Sequence, residues 1–147
     1  MRIWGDKSLP HDYRARVIIP KLKELDLPLK FSIVDLACGH GTDIEEIQGA
    51  FPYANALGID IDEFPEWKDK SVRFKKEDMM DFIKMPSRWD VVMMLNSYRN
   101  WEGSDRVAFD DWVKDHTKYF IASGNRDGGE IIGTDDGYDL KLWQFYT

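Results

Sequence analysis

The residues whose types and spacing could do chemistry begin with Asp35, Gly39, Gly41 and Asp60. Phe31 to Leu36 is a short apolar run rich in β-branched residues, punctuated at its start by Pro28, and reads as a buried strand. It breaks into a glycine-containing turn, Ala37 to Gly41. Thr42 or Asp43 then caps a helix with Glu45 and Glu46 in its first turn. A strand, a glycine turn and a helix in succession let backbone approach a ligand closely and aim free helix N–H groups at it. About twenty residues on, Ala54-Asn-Ala-Leu-Gly-Ile-Asp60 reads as a second strand ending in a carboxylate. An ionised carboxylate at that offset accepts from both hydroxyls of a ribose at once.

Asp35-Leu-Ala-Cys-Gly-His-Gly41 resembles the glycine motif of class I S-adenosylmethionine-dependent methyltransferases, acid-x-Gly-x-Gly-x-Gly. Gly39 and Gly41 match the second and third glycines, and Cys38 stands where that family often has cysteine. Ala37 replaces the first glycine, which narrows the turn. Glu77-Asp-Met-Met-Asp-Phe82 resembles the family's acidic segment after the third strand, and Trp89-Asp-Val-Val-Met-Met-Leu-Asn96 its fourth strand, so the matches run in order over residues 31 to 123. The resemblance implies S-adenosylmethionine as cofactor, with roles carried over position by position. Asp35 anchors the ammonium directly or through water, the backbone at Ala37, Gly39 and Gly41 passes close to the methionine part, and Asp60 takes the ribose hydroxyls. Ile61 and Met79 sandwich the adenine, Asp78 accepts from its amino group, and Asn96 completes the cofactor-binding set. Each has a plainer reading: Asp35 as a turn cap, Asp60 and Asp78 as ordinary strand-end carboxylates, Met79 as core.

Asn96-Ser-Tyr-Arg-Asn-Trp101 follows the fourth strand, which the resemblance places beside the transferable methyl. Asn96 and Tyr98 are the candidates for orienting a nucleophile, and Arg99 for pairing with a substrate carboxylate or phosphate. Trp101 is a candidate aromatic wall. In the plainer reading Arg99 is a surface charge and Trp101 a core residue. Methyl transfer from a sulfonium is an in-line displacement in which orientation alone contributes on the order of 7–11 kcal/mol. A general base is required only if the nucleophile must lose a proton, so a conspicuous catalytic constellation is not required. No acid stands at position 96, which argues against the metal-dependent catechol-type arrangement, and the Asn/Asp-Pro-Pro-Tyr/Phe motif of amino-directed nucleic-acid methyltransferases is missing. His11, His40 and His116 are too scattered to build a metal site, and His40 is expected to face solvent or the cofactor.

The elements that must position these residues alternate. Asp12 caps a helix carrying Tyr13, Val17, Ile18, Leu22 and Leu25 at helical spacing, and Pro20 predicts a kink or two short helices. The start of this helix, with His11, Tyr13, Arg14 and Arg16, reads either as a solvated surface or as a lid over the cofactor. A helix over 42–50, a strand over 55–59, a turn or two of helix over 64–70, a strand over 72–75 and a helical turn over 78–84 follow. The strand over 90–95 is the most apolar and therefore central. A helix capped by Ser104 or Asp105 carries Val107, Ala108, Trp112 and Val113 inward and leads to a fifth strand over 119–122. Such alternation gives a three-layer, doubly wound, mostly parallel sheet whose ligands bind at the carboxyl ends of the strands, where Gly39, Gly41, Asp60, Asp78 and Asn96 all fall. Residues 123–129 are too few and too glycine-rich for a crossover helix. Residues 139–146 alternate and read as a strand antiparallel to the fifth, with a short piece at Ile131-Ile132 between, so the expected fold is a trimmed one.

Residues 1–147 read as a single domain with one core. A hydrophobic fraction of 43% with 14% aromatics argues against disorder. The net charge of −7, with no basic run to offset it, argues against gripping nucleic acid by its phosphates and favours a small-molecule or basic protein acceptor. One cysteine excludes an internal disulfide and fits a reducing compartment. No membrane-length apolar segment or signal peptide is present, so a cytoplasmic protein is expected. The leading expectation is an S-adenosylmethionine-dependent methyltransferase. A non-catalytic or partner-dependent cofactor-binding module, working with a second chain or by self-association, is the alternative. A nicotinamide-dependent oxidoreductase stands behind both, since the wider Gly-x-Gly-x-x-Gly spacing is absent.

Overall fold

The computed structural model describes residues 13–95, 97–98, 101–124, 126–135 and 137–145. Seven strands, β1 (Ser32–Leu36), β2 (Asn55–Asp60), β3 (Arg73–Lys76), β4 (Trp89–Met94), β5 (Thr117–Ser123), β6 (Glu130–Asp135) and β7 (Tyr138–Gln144), form one sheet in the order β3-β2-β1-β4-β5-β7-β6. Pairings from β3 through β5 are all parallel, and β7 is antiparallel to both of its neighbours. The expected antiparallel strand at the C-terminal end is therefore present against β5. Strand order reverses between β1 and β4, and β4, the most apolar strand, occupies the middle of the sheet.

Two apolar layers flank the sheet. On one face α1 (Tyr13–Glu24) and α2 (Thr42–Ala50) bring Ala15, Ile18, Leu22, Ile44 and Ile47 onto Ile33, Val91, Met93 and Ile121. On the other, α3 (Met79–Phe82) and α4 (Ser104–His116) bring Phe82, Phe109, Trp112 and Val113 onto Val34, Val92, Met94 and Phe120. The alternation of partners along β1 and β4 is the period of two of an extended chain buried on both faces. Inward residues of α4 are thus Phe109, Trp112 and Val113; Val107 and Ala108 face solvent.

Pro20 breaks nothing: α1 runs unbroken from Tyr13 to Glu24 with Pro20 on its exposed side, where a missing N–H donor costs least. Neither Thr42 nor Asp43 caps α2; Gly41 takes that position in the left-handed region, at φ 85°, and Asp43 turns inward instead. Gly103, not Ser104 or Asp105, precedes α4.

The link expected to be too short for a parallel crossover still delivers β6 in the direction of β5, because β6 is not its neighbour. β7 lies between them. β5 ends with Ser123 opposite Leu140, while β6 begins with Glu130 opposite Leu142, so the chain drops back only two positions along β7. It crosses over Trp143, whose indole N–H donates to Asp127 O at 3.0 Å and whose ring stacks on Phe120 at 5.5 Å. One aromatic side chain thus covers the sheet where a crossover helix would lie. The piece expected at Ile131-Ile132 is a full strand. Gly129 has φ 79°, and a Cβ there would sit 2.7 Å from the Trp143 indole. Gly129→Ala should therefore destabilise the chain by about 1–3 kcal/mol in chemical denaturation, while Gly49→Ala, at an open helical position, should not.

Candidate functional site

The carboxyl ends of β1, β2 and β4 and the segment after β3 converge on a cleft of about 200 Å³ lined by Ala37, Ile59, Asp60, Ile61, Glu77, Asp78, Met79 and Ser97. It lies at the reversal of strand order, where a parallel sheet opens for ligands. Of the residues expected from the sequence, Ala37, Asp60, Ile61, Asp78 and Met79 are brought together here. Ile59, Glu77 and Ser97 are additional; each adjoins a residue already singled out. Asn96 and Arg99 lie outside the described residues.

Asp35, the fourth residue of β1, is two per cent exposed and, like Gly39 and Gly41, is not among the residues that line the cleft. Its Oδ1 is buried without a hydrogen-bond partner. Burial pushes the carboxyl well above the usual carboxylate range, the negative charge of Asp43 adds to this, and the Arg14 guanidinium works against it. An unpaired buried carboxylate is costly, and the arrangement fits a ligand that brings a cation to it.

Three positive backbone angles bend the chain above Asp35: Ala37 at φ 57°, Gly39 at φ 57° and Gly41 at φ 85°. A Cβ on Gly41 would sit 2.5 Å from the Phe74 ring, so this position is closed to other residues both by conformation and by space. Phe74 stacks on Trp67 at 4.9 Å, and the Trp67 indole donates to Gly39 O at 2.8 Å. The 3₁₀ turn Pro65–Asp69 that carries Trp67 thus buttresses the glycine turn from the β3 side. Asp60 ties it from the β2 side, its Oδ2 accepting the Gly39 N–H at 2.9 Å and its Oδ1 the Asp62 N–H at 3.0 Å. Each oxygen retains a second lone pair for a hydroxyl. Asp78 commits Oδ1 to the Met80 N–H at the start of α3, which leaves Oδ2 for a ligand.

Other expectations are placed differently. Tyr98 does not reach the cleft: it is wholly buried between Phe109 and Phe120, and its hydroxyl donates to Asp110 at 2.6 Å. Its apolar ring gains more from the α4 layer than the cleft could give it. Trp101 packs on Phe109 in the same layer. Arg14 is not a solvated side chain; it is buried beside Asp43 at 2.6 Å, and His11, at the start of the segment read as a surface or a lid, lies outside the described residues. His40 faces solvent, with Nδ1 2.9 Å from Glu66 Oε2. Among the described residues no three His, Cys, Asp or Glu side chains are grouped to hold a metal ion, and no helix is long and apolar enough to cross a membrane.

Comparison with solved structures settles which fold this geometry belongs to. Over 97% of its length the chain superposes on 83% of magnesium protoporphyrin IX methyltransferase from Synechocystis PCC 6803 with bound SAM, at a TM-score of 0.68 and 14% identity. The chain has the class I methyltransferase fold. It also superposes on the plantazolicin methyltransferase BpumL in complex with SAH (TM-score 0.60, 20% identity, 74% of this chain) and on PKMT2 from Rickettsia typhi in complex with AdoHcy (TM-score 0.60, 17% identity, 80% of this chain). It spans 45% of BpumL and 25% of PKMT2. No protein-family model and no curated protein sequence matches it.

Two consequences of this methyltransferase-fold site are measurable without any ligand. Ala37 pays the left-handed penalty of a residue with a Cβ, so Ala37→Gly should raise stability by roughly 1 kcal/mol in denaturant unfolding. The raised Asp35 carboxyl holds a proton in the native chain over a pH range where the unfolded chain has released it. Stability from this group is therefore fully present below the ordinary carboxylate pKa and is lost as pH rises through the raised one. Asp35→Asn should unfold at a higher temperature than the parent in mildly alkaline buffer, and the gap should close on acidification.

Proposed function

We propose that the chain binds S-adenosylmethionine in this cleft and transfers its methyl group to a small-molecule or protein acceptor. The observation that carries the reading is the buried Asp35 carboxyl just before the glycine turn, whose Oδ1 has no hydrogen-bond partner and which a bound cation would draw into its ionised form. The amino-acid end of the cofactor brings an ammonium, which such a carboxylate attracts. The Gly39-His-Gly41 turn lacks the wider Gly-x-Gly-x-x-Gly spacing that admits a dinucleotide pyrophosphate. An all-parallel dinucleotide sheet also lacks the reversed β7 inserted between β5 and β6. Both points weigh against the nicotinamide-dependent oxidoreductase.

Bound S-adenosylmethionine supplies the activated methyl group. The residues of this chain bind and orient: Asp35 at the ammonium, the 37–41 backbone along the methionine part, Asp60 at the ribose hydroxyls, Ile61 and Met79 on the two sides of the adenine, and Asp78 at its amino group. The cleft of about 200 Å³ is smaller than the roughly 300–1,000 Å³ of a complete small-molecule site, which suits the nucleoside half of such a ligand. Asn96 and Arg99 remain the candidates for the acceptor side, whereas Tyr98 is proposed to serve the core.

The withdrawal of Tyr98 into the core favours a second reading, a cofactor-binding module whose acceptor groups come from a partner chain or a second copy. Calorimetry with S-adenosylhomocysteine and with NAD tests the cofactor: binding of the former is expected, and binding of NAD alone overturns the proposal. Asp60→Ala should weaken S-adenosylhomocysteine by roughly 2–4 kcal/mol, since the ribose bonds and the tie to Gly39 are lost together. Turnover of S-adenosylmethionine across amines, phenols, carboxylates and peptides separates the two readings; binding without turnover on any acceptor, restored by a cell-extract fraction, selects the module.

A further inference from the structure

The crossover from β2 to β3 holds only the five-residue 3₁₀ turn Pro65–Asp69, where a parallel crossover ordinarily holds a helix. So short a cover leaves a groove of about 530 Å³ beside β3, lined by Phe64, Trp67, Val72 and Phe74 with the exposed Glu63 and Lys68. β3 ends the sheet and pairs with β2 alone, so one of its edges is open. The Glu77 N–H donates toward β2, to Asp60 O at 2.9 Å. By the period of two, Arg73 and Lys75 also turn their backbone groups to β2, while Phe74 and Lys76 turn theirs to the open edge. Among the described residues no backbone bond from outside the sheet reaches Phe74 or Lys76. This edge is basic in an acidic chain: β3 reads Arg73-Phe-Lys-Lys76 in a protein of net charge −7. Lys75 pairs with Glu77 at 2.6 Å, whereas among the described residues the exposed Arg73 and Lys76 make no ion pair.

We propose that the open edge of β3 and the groove beside it take an extended acidic segment of a partner protein, which adds to the sheet as a further strand. The backbone groups of Phe74 and Lys76 supply its main-chain bonds, and the groove takes one of its aromatic or bulky apolar side chains. Side chains two positions apart share a face, so Val72, Phe74 and Lys76 stand on one face of β3 and Arg73 on the other. A segment that places an apolar residue beside Phe74 therefore brings its next residue on that face to Lys76, and a residue of its opposite face to Arg73. Carboxylates suit both places, because opposite charges on neighbouring strands attract. A second copy of this edge fits poorly, since it sets arginine and lysines against arginine and lysines. Glu63 and Lys68 in the groove offset each other and leave the charge of the edge to decide. None of these residues lines the cleft, so the inference stands apart from the cofactor reading.

The test is calorimetric titration of the whole chain with a capped peptide of about eight residues, in which glutamates alternate with valines around one phenylalanine. Three probes accompany it: the same peptide with lysine for every glutamate, one with serine for every apolar residue, and a uridine oligonucleotide as a polyanion without side chains. The acidic apolar peptide should bind, and the lysine and serine peptides about tenfold or more weaker. Arg73→Glu combined with Lys76→Glu should cost about tenfold in affinity for it, and Phe64→Ala should weaken it severalfold. Trp67 and Phe74 stay unchanged because they brace the glycine turn. Hydrogen exchange supplies the readout that loose charge attraction would not move: bound peptide should slow the Phe74 and Lys76 amides and leave Arg73 and Lys75 as they were. Absence of binding, equal binding of the lysine peptide, tighter binding of the oligonucleotide, or binding with the Phe74 and Lys76 amides unslowed overturns the proposal. Should the double variant fail to fold, Lys76→Glu alone is read by the same criterion.

Discussion

An ionisable group buried without a partner constrains everything around it. Asp35 sits on a strand covered by helices on one face and by the aromatic layer of α4 on the other, so water cannot solvate its charge. Leaving such a group unsatisfied costs about 1–3 kcal/mol or more, and a stable chain of this size has little to spare. A leucine or valine there would have extended the core. The carboxylate makes physical sense as half of an interaction whose other half arrives with a ligand.

The turn above it is held from outside instead of being rigid in itself. Asp60 from β2 and Trp67 from the 3₁₀ turn fix the N–H and the carbonyl of Gly39, and Phe74 fills the space that a side chain on Gly41 would need. The same Asp60 thus aligns the turn and presents lone pairs to the cleft, so the turn and the proposed ribose subsite are set by one side chain. Strain is retained at Ala37, a residue with a Cβ in the left-handed region on the wall of the cleft, which is where strained backbone tends to be kept when it shapes a ligand site.

Much of this was legible in the sequence because it rests on local rules. The apolar run before a glycine turn, the carboxylate about twenty residues on, and the apolar character of β4 located β1 and its turn, the Asp60 wall of the cleft and the centre of the sheet. What escaped depended on contacts distant in the chain. Pro20 removes one helical hydrogen bond whichever side it lies on, and α1 continues through it because Ile18 and Leu22 pack onto the distant sheet, which is a tertiary fact. Asp43 looked like a cap because the partner that draws it inward, Arg14, is 29 residues earlier, on a helix whose docking could not be seen. Tyr98 stood at the right place after β4, but residue type does not say whether a tyrosine turns toward a cleft or into an aromatic layer built by Phe109 and Phe120. The short link after β5 excluded a helix correctly; a single tryptophan replacing it carries no sequence pattern.

The central claim is that Asp35 is kept unpaired for the cation of the ligand. A crystal structure of the chain grown with S-adenosylhomocysteine tests it most directly. The account predicts the ligand's ammonium within hydrogen-bond reach of the Asp35 carboxylate or joined to it by one ordered water, with its adenine between Ile61 and Met79. A ligand bound elsewhere, or seated in the cleft with Asp35 still unpaired, would contradict it.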